Sequence, residues 1–289
     1  MKPVDAAIRR SVLITPGSRP DRVKGAAALP CDSVVIDLED GVAPAAKVQA
    51  RESINALLAD VDFAQKEKGV RINQPGSDEC DADLAVIDFT KLDVVWVPKV
   101  ESAEQVERLS ERLPQALPLV LSIETPRGLF AAQDIAAAGA KQNARCALFF
   151  GSGDYCMETG ARPSAEGLQV PKALIVAAAA MYNLQAIDAA YFLDPKDPLA
   201  TRRDAELAKE QGFDGKLLFH PAQIQVANEV FAPNAEEIAR AQRLIDAFDA
   251  AQAAGQGTLV VDGAFLALDT VIPLRRTIWL AQRLAQRLD

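Results

Sequence analysis

Apolar runs of strand length alternate with helical stretches along most of this chain. The runs occupy residues 11–15 (SVLIT), 33–38 (SVVIDL), 70–73 (VRIN), 93–98 (DVVWVP), 118–124, 146–154, 185–192 (QAIDAAYF) and 216–219 (KLLF). Turn residues such as Pro16-Gly17 and acidic turns such as Glu39-Asp40-Gly41 separate them from helical segments, among them the charged stretch 101–113. Eight strands with helices between them predict an α/β fold of the (β/α)₈ TIM-barrel type, and the length suits a fold that typically takes roughly 250 residues. Beyond Pro221 the pattern is helical through 223–230 and 235–253. It breaks at Gly255-Gln256-Gly257, resumes as a ninth apolar segment (TLVVDGAFLALD), and ends in an amphipathic helix over about 271–288. The predicted domains are therefore a barrel over residues 1–232 and a C-terminal helical extension over 233–289. The part from Gly255 onward is surplus to a closed barrel and is expected to pack on a neighbouring subunit.

The stretch from Pro118 to Asp154 carries the most specific chemistry. Two apolar runs end on carboxylates, Glu124 and Asp154, with an alanine-rich helix between them. A right-handed strand–helix–strand unit brings both strands to the same edge of a sheet, at a spacing of about 4.8 Å. Two carboxylates there suit Mg²⁺, which takes one or two carboxylates and leaves its other positions to water and substrate oxygens.

Composition narrows the setting. Hydrophobic residues make up 49% of 289, enough for a large core, and mean hydropathy is +0.03 with no bilayer-length apolar run. A net charge of −9 argues against nucleic acid or an anionic membrane as the main partner. The four cysteines form no CxxC pair or metal spacing, and the N-terminal segment lacks the apolar core of a signal peptide. A cytoplasmic enzyme is expected.

An active site at the C-terminal strand edge would draw on Arg19, Asp37, Glu39, Asp40, Arg71, Asn73, Lys99, Glu124, Asp154, Asp188 and His220. Arg71, inside the apolar VRIN, needs an anion: an ion pair with Asp37 or Glu39, a substrate carboxylate gripped at both oxygens, or both, the acidic neighbours fixing the arginine for its ligand. Glu39 and Asp40 form an acidic turn able to hydrogen-bond metal-bound water. The Gly151-Ser152-Gly153 turn permits close backbone approach, with the Gly153 amide available to an oxyanion. His220, the single histidine, reads as a scaffold residue and excludes any multi-histidine metal site.

The motifs SVLITPGSRPDR, VVIDLEDGVAPAAK, VRIN, VWVPKVES, IETPRG, GSGD, GFDGKLLFHPAQI and FAPNAEEIARAQRL follow in order over about residues 10 to 250. With them the chain resembles the citrate lyase β-subunit-like family of the HpcH/HpaI aldolase group. The resemblance implies a Mg²⁺-dependent carbon–carbon lyase of homotrimeric assembly, cleaving a 3-hydroxyacyl-CoA thioester to a 2-keto acid and acetyl-CoA. Citramalyl-CoA is the favoured substrate, with malyl- and citryl-CoA open. It also implies Glu124 and Asp154 as metal ligands, Arg71 as the carboxylate anchor, and Glu39 and Asp40 as support for the metal's waters. Arg19 and Lys47 fall where the CoA portion would dock. Family members often end in a DGKMID-like segment whose final aspartate serves a neighbour as acid/base. Here Ala267 stands at that place and Asp269 two residues on, so Asp269 is a candidate for the role. The alternatives are a β-subunit acting on a carrier-bound thioester and a silent barrel that binds CoA or a keto acid.

Overall fold

The computed structural model describes residues 7–287. Eight parallel strands close into a barrel in chain order: β1 (Ser11–Pro16), β2 (Ser33–Asp37), β3 (Glu67–Arg71), β4 (Val94–Val97), β5 (Leu119–Ile123), β6 (Ala147–Phe150), β7 (Gln185–Asp188) and β8 (Gly215–Leu218). Closure is made by β1 on β8, with Leu13 opposite Leu218. The helices around it are α1 (Pro20–Ala27), α2 (Lys47–Asp60), α3 (Asp78–Val86), α4 (Ala103–Ser110), α5 (Pro126–Phe130), α6 (Ala132–Gln142), α7 (Ser152–Thr159), α8 (Ala165–Met181), α9 (Pro198–Glu210) and α10 (Ile224–Phe231). The predicted (β/α)₈ fold is the observed one. Among the described residues, no helix is long and apolar enough to cross a membrane.

The strands are apolar almost throughout because both of their faces are buried. One set of alternate side chains fills the lumen: Val12, Ile14, Val35, Trp96, Val120, Phe149, Ile187 and Leu217. Trp96 and Phe149 meet there at a centroid distance of 5.3 Å. The other set, including Leu13, Val34, Ile36, Val95, Leu121 and Leu148, packs under the helices. At the N-terminal end the lumen is sealed by polar groups instead. Arg9, 1% exposed, donates from Nε and Nη2 to both oxygens of Glu67 at 2.7 Å, and from Nη1 to Gln185 Oε1 and Arg145 O.

That seal explains one departure from the apolar pattern. Strand three runs from Glu67 to Arg71, three residues earlier than the expected 70–73. Its first half carries Glu67, Lys68 and Gly69, so hydrophobicity does not mark it. Glu67 is buried because Arg9 pairs with it. Strand six likewise stops at Phe150, and strand seven ends at Asp188 rather than at residue 192.

The chain divides into two compact units, one up to Phe231 and one from Ala232 onward. In the second, α11 (Ala235–Ala253) starts at a reciprocal cap in which Asn234 Oδ1 accepts from the Glu237 amide and Glu237 Oε2 from the Asn234 amide, both at 2.8 Å. The ninth apolar segment is an antiparallel hairpin, β9 (Leu259–Val261) and β10 (Ala264–Leu266). Asp262 and Gly263 turn it with φ of 51° and 75°, the left-handed pair that two-residue hairpins favour. Helix α12 (Leu268–Ala285) follows, and Leu244, Ile245, Phe248, Leu266 and Val271 form the unit's core.

Candidate active site

The site is built around the last residue of β2. Asp37 lies opposite Arg71 in the parallel β2–β3 register. Its Oδ1 accepts from Arg71 Nε at 2.7 Å and from the Glu39 amide at 2.9 Å. Its Oδ2 accepts from Arg71 Nη2 at 2.7 Å and from the Gly41 amide at 2.8 Å. A Cβ at residue 41 would come within 2.3 Å of Asp37 Oδ2, so the turn requires glycine there. Arg71 is thus fixed along one edge. Its remaining nitrogen, Nη1, lies 3.2 Å from Glu39 Oε2, an oxygen that is buried without a hydrogen-bond donor. Burial disfavours the Arg71 charge, but the hydrogen bond and attraction of Asp37, with Glu39 and Glu124 beside it, raise its pKa.

Glu124 follows β5 and is 2% exposed. Its Oε1 accepts from the Lys99 amide at 2.7 Å. Its Oε2 lies where a Cβ of residue 151 would sit, 2.3 Å away, so Gly151 lets the backbone after β6 pass against this carboxylate. Burial, then the negative charges of Asp154 and Glu39, push its pKa up to about 7, against the opposing pull of the Lys99 amide and Arg71. A buried carboxylate surrounded by like charge fits a cation. Among the described residues no set of three or more His, Cys, Asp or Glu could hold a metal ion.

Asp154 does not end a strand as its sequence suggested. It lies in the first turn of α7, half-buried, after Gly151. The first hydrogen bond of that helix runs from the Tyr155 amide to Gly151 O. The Ser152, Gly153 and Asp154 amides therefore lack partners within the helix, at its positive end. Gly153 is exposed with open space beside it, which suits the approach of an oxyanion.

Lys99, one of the candidates at the strand edge, joins these groups. It follows β4 in the left-handed region, φ 50°, a conformation costing a side chain roughly 1 kcal/mol. Its amide caps Glu124, while its ammonium pairs with Glu39 Oε1 and, at 3.0 Å, with Asp40 Oδ2. Burial pushes the Glu39 pKa up, against the pull of Arg71 and Lys99. Asp40 is held below its usual value by Lys99, against the effect of its own burial. The visible signal is a lysine directly after a Val-Pro strand end.

Other candidates stand apart. Lys47 donates to Leu38 O, Glu39 O and Asn73 Oδ1 at 2.8, 2.9 and 2.5 Å, which spends all three ammonium hydrogens inside the fold. Its expected CoA contact is therefore corrected to a brace under the Glu39 turn. Arg19 pairs with Asp21 at 2.8 Å on the exposed β1–α1 turn. Asp188, 1% exposed, is locked between Lys172 and Lys216 as part of the core. His220 Nδ1 accepts from the Ala222 amide at 3.1 Å and caps the turn after β8, a scaffold role. Asp269 belongs to the first turn of α12 in the C-terminal unit.

The raised pKa of Glu124 has a measurable sign. With chelator present, the folded protein keeps this proton up to about pH 7, whereas an unfolded glutamate releases it near 4.5. The folded state binds more protons across that window, so stability is full below about 4.5 and is lost as pH rises to about 7. The melting temperature in EDTA, followed from pH 5 to 8, should fall more steeply in the wild type than in Glu124→Gln. Equal slopes would contradict the shift.

Comparison with known proteins agrees with this architecture. A (3S)-malyl-CoA thioesterase of Cereibacter sphaeroides is 35% identical over 278 residues, covering 96% of this chain and 95% of its own. The human mitochondrial citramalyl-CoA lyase is 31% identical over 297 residues, covering 96% and 87%. The crystal structure of CitE from Mycobacterium tuberculosis with magnesium, acetoacetate and coenzyme A superposes with a TM-score of 0.77 at 29% identity, over 97% of this chain and all of that one. The HpcH/HpaI aldolase/citrate lyase family model matches residues 10–221, which contain all eight strands and every barrel residue of this site; the chain belongs to that family.

Proposed function

We propose that this protein is a Mg²⁺-dependent carbon–carbon lyase that cleaves a 3-hydroxyacyl-CoA thioester to a 2-keto acid and acetyl-CoA. The observation that carries this is Glu124: buried, held at Oε1 by the Lys99 amide, with Oε2 against the Gly151 backbone, and facing the like charges of Asp154 and Glu39. Glu124 and Asp154 would hold Mg²⁺, which when bound supplies Lewis-acid polarisation and a template for the substrate's oxygens. Arg71, fixed by Asp37, presents Nη1 to the carboxylate of the keto-acid half. Glu39 Oε2 has no hydrogen donor, so it is placed to receive the hydroxyl proton directly or through water. As the proton leaves the hydroxyl, the carbonyl forms and the carbon–carbon bond breaks. Its electron pair passes to the thioester enolate, which the Gly153 amide stabilises and an acid then protonates at carbon. Asp269 is the proposed acid.

Residues 233–289 form the extension that would deliver Asp269 to a neighbouring barrel in a homotrimer. Val260, Phe265, Leu268 and Ile272, all exposed in the single chain, support a covered surface there. Arg19 remains the proposed contact for the CoA portion. The free cysteines, three of them buried, support a reducing compartment such as the cytoplasm.

Citramalyl-CoA is the favoured substrate. A second reading, thioester hydrolysis, is favoured by the malyl-CoA thioesterase among the relatives. One experiment separates them: citramalyl-, malyl- and citryl-CoA incubated with the purified protein in Mg²⁺ or EDTA. The expected result is metal-dependent formation of a 2-keto acid together with acetyl-CoA. Free hydroxy acid and CoA in equal amounts, with no keto acid, would select hydrolysis. No turnover of any of the three would overturn both readings for free CoA thioesters.

A further inference from the structure

Five carboxylates face the site: Asp37, Glu39 and Asp40 from the end of β2, Glu124 from β5 and Asp154 from α7. Two side-chain cations answer them, Arg71 from β3 and Lys99 from β4; with all five carboxylates ionised, as around a bound cation, three negative charges are left. The two cations are held very differently. Arg71 is clamped at Nε and Nη2 by Asp37, and its side chain is 13% exposed. The Lys99 side chain, 22% exposed, reaches in from the rim, and its ammonium pairs with Glu39 and Asp40. Its main chain is nevertheless committed to the centre, because the left-handed turn aims its amide at Glu124. One residue thus ties the proposed metal ligand to the acidic turn that would hydrogen-bond the metal's waters.

We propose that Lys99 is the positioning residue and built-in counter-cation of this site, setting its affinities for a divalent cation and for an anionic substrate in opposite directions. The inference rests on the Mg²⁺ reading of Glu124 and Asp154. A divalent cation entering the site meets the ammonium's repulsion and must share Glu39 and Asp40 with it. An anionic 2-keto acid entering afterwards meets a net charge close to −1, and the ammonium is one of two side-chain charges that make its approach tolerable. Without Lys99 the cation binds in a more negative field and the anion is opposed by it. A unit charge at several ångströms, partly screened at the rim, changes affinity by about tenfold.

The test is calorimetric titration of chelator-stripped protein with MgCl₂, then of the Mg²⁺-loaded protein with pyruvate. Wild type, Lys99→Met, Lys99→Arg and Glu124→Gln are compared. Methionine keeps the length and the amide that caps Glu124, and arginine keeps the charge. The expected result is about tenfold tighter Mg²⁺ and about tenfold weaker pyruvate binding in Lys99→Met, with both restored toward wild type in Lys99→Arg. If Lys99→Met weakens both ligands together, or changes neither, while Glu124→Gln loses Mg²⁺, the counter-cation role is overturned and the metal site stands. If Glu124→Gln binds Mg²⁺ as the wild type does, the metal reading fails, and this inference with it.

Discussion

Replacing Glu124 by glutamine should lower Mg²⁺-dependent cleavage on the order of 10³-fold or more, with no loss of thermal stability in chelator. The size follows from what a bound cation contributes, several kcal/mol of transition-state charge stabilisation at about 1.4 kcal/mol per tenfold. The sparing of stability follows from the surroundings. Glutamine keeps the shape, and its amide oxygen still accepts the Lys99 amide that meets Oε1 at 2.7 Å. It also removes a buried charge that Asp154 and Glu39 oppose. Near pH 8 the variant should therefore melt at or above the wild-type temperature. Turnover by the method of the thioester panel and melting by circular dichroism check the two halves separately. Retained metal-dependent turnover would sink the ligand assignment. Lost turnover with a lower melting point would mean that Glu124 holds the fold and not the metal.

The largest stability effect is expected at the opposite end of the barrel, far from any chemistry. Glu67→Ala leaves the Arg9 guanidinium buried at 1% exposure without its carboxylate. Breaking a buried ion pair by removing one partner costs about 3–5 kcal/mol, because the remaining charge is uncompensated. Arg145, 4.0 Å from the same carboxylate, loses a neighbour as well. Removing both charges is a different case: Arg9→Met with Glu67→Leu takes away the desolvation cost along with the attraction and should recover most of the loss. Urea unfolding of the single and double variants measures this. A single-variant loss under about 1 kcal/mol would show that Arg145 and Gln185 hold Arg9 without help.

These two residues also mark the limits of the sequence. Glu124 was legible because it ends a continuous apolar run, LVLSI, and a parallel strand buried on both faces advertises its own end. Glu67 was not, because it begins a strand whose first three residues are Glu, Lys and Gly, and its burial depends on an arginine 58 positions away. Lys47 and Lys99 show the same limit at the site. Each is a lysine whose neighbours in the chain do not say what it holds. Only the folded chain shows one spending its hydrogens on the Leu38 and Glu39 carbonyls and the Asn73 side chain, and the other bridging Glu39 to Asp40 while capping Glu124.

By itself, then, the sequence determined the order of strands and helices, the closed parallel barrel and the family, because those rest on local apolar periodicity and on ordered motifs. It also placed Glu124 directly after a strand, whereas Asp154, expected at a strand end, lies in the first turn of α7. The tertiary structure decided what each charged group does. It made Asp188 a core ion pair, Asp37 the anchor of Arg71, Gly151 the gap that admits Glu124, and Lys99 the link between them. The physical reason is that apolar burial is written into neighbouring residues, whereas the state of a charge depends on the partners and the solvent that folding brings to it from distant parts of the chain.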